Sequence, residues 1–180
     1  MLIFLWVTLC LCHVAALGDD KVMRAPEESL KEFCRKLLPP QTELAHPPLA
    51  LAFGPSDRNI VMLFRTTYDE NTNYVGWILV PDKATAGSYI KFVLPPMSEI
   101  PGHFDITVDA VFAARVGSNF PRDLVVLYEY HRNGSTRDDG YASYVYSWTG
   151  KNFQVQKEAT DKLTGTKTAA EARRKLRMMH

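Results

Sequence analysis

The sequence predicts a β-dominated fold of the α+β class: a mostly antiparallel sheet built from two strand–loop–strand repeats, with a helix at each end. Three observations point there. Two continuous apolar runs, Ile60 to Phe64 (IVMLF) and Leu124 to Tyr128 (LVVLY), recur along the chain. Each is followed by a polar loop and a Trp-bearing apolar segment, Tyr74 to Val80 and Tyr141 to Trp148. Helical spacing of apolar residues is confined to the two ends.

The chain opens on MLIFLWVTLCL, an uncharged apolar stretch, followed by small residues at Ala15, Ala16 and Gly18. A short apolar core before small residues is the pattern of a secretory signal peptide. It falls short of the roughly 20 apolar residues that span a bilayer. Residues 1–18 are therefore read as a leader cleaved near Gly18, leaving no stable membrane span and a secreted, extracellular product.

Residues 19–48 read as an N-terminal helix and a Pro-rich connector. Ala25-Pro26-Glu27-Glu28 carries an early Pro and acids suited to the positive end of a helix dipole. Leu30, Phe33, Cys34, Leu37 and Leu38 follow at helical spacing, and Pro39-Pro40 ends the helix. His46-Pro47-Pro48 is a stiff connector.

Residues 49–180 read as a single β-rich domain ending in a basic helix. Ile60 to Phe64 is apolar without alternation, as in a strand covered on both faces. The polar stretch 68–73 is a turn, and Tyr74 to Val80 returns as a strand. Ile90 to Leu94 and Ile106 to Val116 are further strands, the latter irregular near Ala113–Arg115. Leu124 to Tyr128 is the second covered strand, and His131 to Gly140 is a long polar loop. In the strand Tyr141 to Trp148, Ala142, Tyr144, Tyr146 and Trp148 share one face by period two. Phe153 to Gln156 closes a short strand. Superposing Ile60 on Leu124 makes Trp77 and Trp148 counterparts. Thr168 and Glu171 have capping-box spacing at the start of the final helix.

The 180 residues are 46% apolar and 23% charged, an ordinary globular composition. A formal net charge of +1 gives no global field for nucleic acid. From Lys151 to the C-terminus, eight Lys/Arg face three Asp/Glu, a net of +5. That basic tail reads as a solvated helix face. Of three cysteines, Cys10 and Cys12 lie in the leader, so Cys34 has no intramolecular partner. It is either buried or a possible intermolecular disulfide that makes a dimer. Asn133-Gly134-Ser135 is an N-glycosylation sequon in a polar loop.

No nucleophile elbow, CxxC or zinc-ligand spacing is present, and no cofactor or metal is expected. His103 and Asp105 are the one pairing that offers a base and an orienting acid. The acidic loops Asp69-Glu70-Asn71 and Asp138-Asp139-Gly140 lack calcium-loop spacing. Aromatic residues crowd the second hairpin, and Tyr and Trp are favoured both at binding surfaces and in strands.

Asp109 to Phe153, with Asp123-Leu124-Val125-Val126 and Trp148-Thr149-Gly150-Lys151-Asn152-Phe153, resembles one unit of the FG-GAP/VCBS repeats. The resemblance implies β-propeller-type strand units. Calcium-binding members carry D-x-D-x-D-G before the D-L-V-V; this chain has Arg115-Val116-Gly117-Ser118-Asn119 there. A looser similarity is to the small exported bacterial lysozyme inhibitors. Their S-G-x-x-Y loop is approached, without matching, by Ala86-Gly87-Ser88-Tyr89 and by Gly140-Tyr141-Ala142-Ser143-Tyr144.

These features predict a secreted, non-enzymatic binding protein. It would present an aromatic sheet face and polar loops to an extracellular protein or glycan through Tyr141, Tyr144, Tyr146 and Asp139. Two other readings stay open: a structural extracellular-matrix component linked through Cys34, and an exported enzyme using His103 and Asp105.

Overall fold

The computed structural model describes residues 21–68, 71–96, 104–116, 122–132 and 135–179, with the backbone alone at 66–68, 71–74, 104–105, 132 and 135–139. The leader, Asn133 and His103 lie outside the described residues, as does the side chain of Asp139.

Two antiparallel sheets pack face to face. Sheet A contains β1 (Lys21–Met23), β2 (Thr42–Leu44), β3 (Leu49–Phe53), β4 (Ser56–Tyr68), β5 (Asn71–Pro81) and β6 (Ser88–Val93). Its order is β1-β6-β5-β4-β2, and β3 also lies beside β4. Sheet B is a plain meander of β7 (Phe104–Ala114), β8 (Asp123–Arg132), β9 (Ser135–Trp148) and β10 (Phe153–Val155). Helix α1 (Leu30–Leu37) covers the outer face of sheet A, and α2 (Lys157–Leu163) and α3 (Ala169–Arg177) cover that of sheet B. The fold is therefore β-dominated and antiparallel with helices toward both ends, as the sequence predicts.

The two apolar runs explain this layering. In β4, Val61 and Leu63 enter the core between the sheets, while Ile60 and Met62 pack with Phe33 and Cys34 of α1. In β8, Leu124, Val126 and Tyr128 face inward, while Val125 and Leu127 pack with Leu163 of α2 and Leu176 of α3. Each run is apolar throughout because each strand is covered on both sides.

The internal repeat is visible in the topology: β3-β4-β5-β6 and β7-β8-β9-β10 are both consecutive antiparallel meanders. Its register differs from the predicted one. Ile60 faces α1, whereas Leu124 faces the opposite sheet. Val61 is thus the counterpart of Leu124, because a one-residue slip moves every side chain to the other face. The two tryptophans accordingly part company. Trp77 lies on the α1 side against Phe64, with ring centroids 4.8 Å apart, and Trp148 packs between the sheets against Phe92 and Phe153.

Several element boundaries also move. Helix α1 begins after Ser29, not at Ala25, because Ser29 and Glu32 form a complete capping box. At the other end Thr168 caps α3 as expected, accepting a hydrogen bond from the Glu171 N–H at 3.2 Å. Residues 131–140 are largely strand: β8 runs to Arg132 and β9 starts at Ser135. Gly140 permits this, since a Cβ there would stand 2.2 Å from the Tyr130 ring. The irregularity in β7 is a bulge between Val108 and Ala110, upstream of the predicted position.

Helix α2 was absent from the sequence reading, and it closes an edge. Strand β10 pairs with only three residues of β9. Beyond them the Gln156 N–H donates to the Val145 carbonyl (2.7 Å), the Val145 N–H donates to Thr160 Oγ1 (3.1 Å) and Ser143 Oγ donates to the Leu163 carbonyl (2.8 Å). The rest of the β9 edge is thus taken up by the helix, which removes an open pairing template. Across the sandwich, Gly54 in the β3–β4 turn has φ +54° and donates its N–H to the Arg122 carbonyl at 3.0 Å.

Leu163 has no exposed surface and joins α2 to sheet B. Leu163→Ala should cost about 2–5 kcal/mol, read as a lower urea midpoint at unchanged slope. Cys34 likewise has no exposed surface, and burial pushes its thiol pKa up to about 11. A sulfur covered in this way is not presented to a second chain by the folded state, in keeping with the buried alternative read from the sequence. In protein lacking residues 1–18, and so retaining Cys34 alone of the three cysteines, a thiol reagent at pH 8 should leave the native state unmodified and react with one equivalent in guanidinium, with no dimer band on a non-reducing gel.

Candidate functional site

The outer face of sheet B changes character along β8. Val125 and Leu127 lie under the helices, but the next two residues on that face are Glu129 and His131. In β9 the same progression runs from Val145 through Ser143 to Tyr141. Register places Glu129 opposite Tyr141, one step beyond the pair Leu127 and Ser143. Helices α2 and α3 cover the apolar half of the face and leave this polar half open.

Four strand residues and one loop residue build the patch. The Tyr141 hydroxyl donates to Glu129 Oε1 at 2.9 Å. His131 Nε2 stands 3.6 Å from Glu129 Oε2, and the two side chains keep 41% and 29% of their surface exposed. Lys167, between α2 and α3, places its ammonium 5.2 Å from the Tyr141 ring centroid. Asp109 comes from the β7 bulge, the device by which a strand re-aims one side chain. Partial burial holds its carboxyl above the ordinary range; Glu129 raises it further, and His131 opposes them.

The structure divides the expected binding residues. Tyr141 is half-buried at the centre of the patch. Tyr144 and Tyr146 are 3% and 2% exposed and belong to the core between the sheets. Their rings stack on each other with centroids 6.1 Å apart, and Tyr144 meets Tyr128 edge-on. Period two separates them from Tyr141, so one strand carries core and surface tyrosines on opposite faces. They have no area to offer a partner in the folded state. Asp139 lies in β9 by its backbone. Asp105 lies in β7 with His131 as its register partner, while His103 falls outside the described residues.

Sequence reasoning missed Asp109, Glu129, His131 and Lys167. The alternation Tyr128, Glu129, Tyr130, His131 was the available signal for two of them, since it marks where the face stops being covered. Nothing local announces the bulge that brings Asp109, or the loop that brings Lys167.

The patch offers a ring edge, two carboxylates, an imidazole and a cation on a rigid, shallow surface. That combination suits recognition of a polar partner. Among the described residues, no three His, Cys, Asp or Glu side chains are grouped to hold a metal ion. A separate open depression of about 440 Å³ lies between α1 and the Pro47-Pro48 connector, lined by Lys31, Arg35 and His46. It gathers none of the expected site residues. No protein-family model matches the sequence, and neither a curated protein nor a solved structure matches the chain.

The raised Asp109 pKa sets a sign. Its folded pKa lies above the unfolded one, so ionised Asp109 opposes folding. The penalty is absent at pH values below the unfolded pKa and complete above the folded one. Asp109→Asn should therefore raise the urea midpoint at pH 7 and leave it nearly unchanged at pH 3. A larger gain at pH 3 would contradict the assignment.

Proposed function

We propose that the protein is an exported, non-enzymatic binding protein that takes an extracellular protein or glycan on the open half of sheet B. The observation that carries this reading is the abrupt end of helical cover at the Glu129–Tyr141 pair. There an aromatic ring with a fixed hydroxyl stands among charges of both signs. Tyrosine in such a setting combines apolar area with a polar tip and loses little freedom on binding. The sandwich behind it is rigid, so the patch is held in place before a partner arrives.

The leader and the Asn133 sequon support an extracellular setting. No described helix is long and apolar enough to cross a membrane. The matrix-component alternative drew on Cys34 as a cross-link, and burial of the thiol removes that support.

Two measurements test the reading. Protein recovered from the medium of secreting cells should begin near Asp19 and lose mass on glycosidase treatment, and Asn133→Gln should abolish that loss. Retention in the cytosol with Met1 intact would overturn export. Tyr141→Ala should keep the melting temperature within a few degrees and weaken affinity for a partner captured by the native protein at least about tenfold. Unchanged affinity would remove the patch from the interface. Tyr144→Ala should instead lower the melting temperature, as expected of a core residue.

A further inference from the structure

The basic C-terminal segment does not end as a plain solvated helix face. Ala172 and Leu176 turn the inner side of α3 onto sheet B. Next to them Arg173 and Arg177 border a groove of about 280 Å³ between α3 and the end of β7. Arg115, the residue after β7, adds a third cation from the strand side, and the small side chain of Ala114, on the helix-covered face, leaves the floor low.

Arg173 is anchored. Its guanidinium carbon lies 4.3 Å from the centroid of the Phe112 ring, which is itself buried. Stacking on a ring face uses the plane of the guanidinium and leaves its in-plane N–H donors free to bond elsewhere. Among the described residues, no carboxylate pairs with Arg115, Arg173 or Arg177. The neighbouring cation is different: Lys175 bonds Thr166 at 2.9 Å and Glu171 at 3.2 Å. Of the four cations of α3, Lys175 is neutralised within the fold, Arg174 acts on Glu171, and Arg173 and Arg177 border the groove.

That division has a cost without a ligand. Arg173 and Arg177 are like charges at i,i+4, an arrangement unfavourable by a few tenths of a kcal/mol on a helix surface. The negative end of the helix dipole offsets part of this for Arg177. Arg115 adds a third positive charge from the opposite wall. An oxyanion lying between the walls relieves all three.

The ligand chemistry follows from the donors. Guanidinium forks match oxyanions in paired, parallel hydrogen bonds. Arg173 and Arg177 are one helical turn apart, about 6 Å along the axis, and the groove is open at its ends. A row of anionic groups along a flexible polymer fits that spacing better than a single small ion. The chain's charge is graded in the same sense, with the +5 segment from Lys151 onward joined to a body of net −4 over residues 19–150. Such a gradient steers a polyanion to this end of the molecule. We propose that the α3–β7 groove binds a sulfated glycan chain. The choice of sulfate over other polyanions rests on the exported reading; the oxyanion groove itself does not.

Purified full-length protein titrated with a heparin octasaccharide provides the test, whatever compartment the protein comes from. The R115Q/R173Q/R177Q triple variant should bind at least about tenfold more weakly, the loss of roughly one charge-assisted hydrogen-bond pair or more. A K31Q/K83Q/K151Q variant removes the same charge from exposed sites elsewhere and should change affinity less than threefold. De-sulfated heparin and phosphatidylcholine vesicles with one-fifth phosphatidylserine should not compete. Arg173→Lys keeps the charge but not the fork, and should fall several-fold. Equal losses in the two triple variants would reduce the effect to net charge and overturn the groove. Competition by the vesicles would assign it to a lipid surface instead, and undiminished binding of de-sulfated chains would exclude sulfate recognition. If the arginine triple variant loses its circular dichroism signal, R115Q and R177Q singly, at exposed positions, decide the same question. Failure of export with heparin binding intact would overturn the compartment and leave the groove standing.

Discussion

Everything in this molecule depends on two strands that are apolar on both sides. Along Ile60–Phe64 of β4 and Leu124–Tyr128 of β8 neither face can tolerate water, so each sheet needs a cover inside and outside there. The inner covers are the sheets themselves, pressed together through Phe53, Leu63, Ile78, Val126 and Tyr146. The outer covers are separate helices, α1 on one side and the α2–α3 pair on the other. Four layers result from one requirement, and the chain ends are enlisted to supply the outermost two. The N-terminal segment, which reads as a helix and connector distinct from the β domain, is for this reason part of sheet A's packing, and β1 and β2 extend that sheet.

Much of this was legible because burial writes itself into composition. An unbroken run such as IVMLF has no solvent face, and two such runs forecast two doubly covered strands. The end helices were legible through the spacing of Phe33, Cys34 and Leu37 and through the Thr168 cap. Register was not. Ile60 on Leu124 matches five apolar residues with five, but a stretch without alternation holds no information on which residue faces which way. The match of the two runs sets Ile60 on Leu124, and the structure makes Val61 the counterpart instead. Short β1 and β2 were also invisible, since three residues carry too little pattern and their pairing is decided by a distant strand. Helix α2 lacks a side-chain cap, and its hold on β9 comes from tertiary hydrogen bonds.

The polar patch and the cationic groove share an origin in the geometry of that outer cover. Two short helices cannot span the full length of β8 and β9. Where they stop, residues on the same face turn from Leu127 to Glu129. Where α3 meets the end of β7, the strand's small residues and the helix's arginines leave a channel. Neither place can be located from a motif, because each is assembled from segments brought together only by the sandwich. Of the three tyrosines expected to meet a partner, Tyr141 lies half-buried at the surface while Tyr144 and Tyr146 lie in the core. Composition favours all three equally, and only the pleat separates them.

The hold of α2 on β9 has a consequence for how the chain matures. The helices that seal sheet B are encoded after all four of its strands, so a nascent chain emerging N-terminus first carries an unsealed β9 and a bare outer face until residues 157–177 have been made. Sheet A cannot bury its inner side before then either, because its counterpart is incomplete. Closure is thus a late, whole-chain event. The sulfur of Cys34 does not share that wait, because its cover is α1 against the outer side of sheet A, all of it encoded ahead of sheet B. Its protection and the sealing of β9 are thus separate events on opposite sides of the molecule, the first available well before the second.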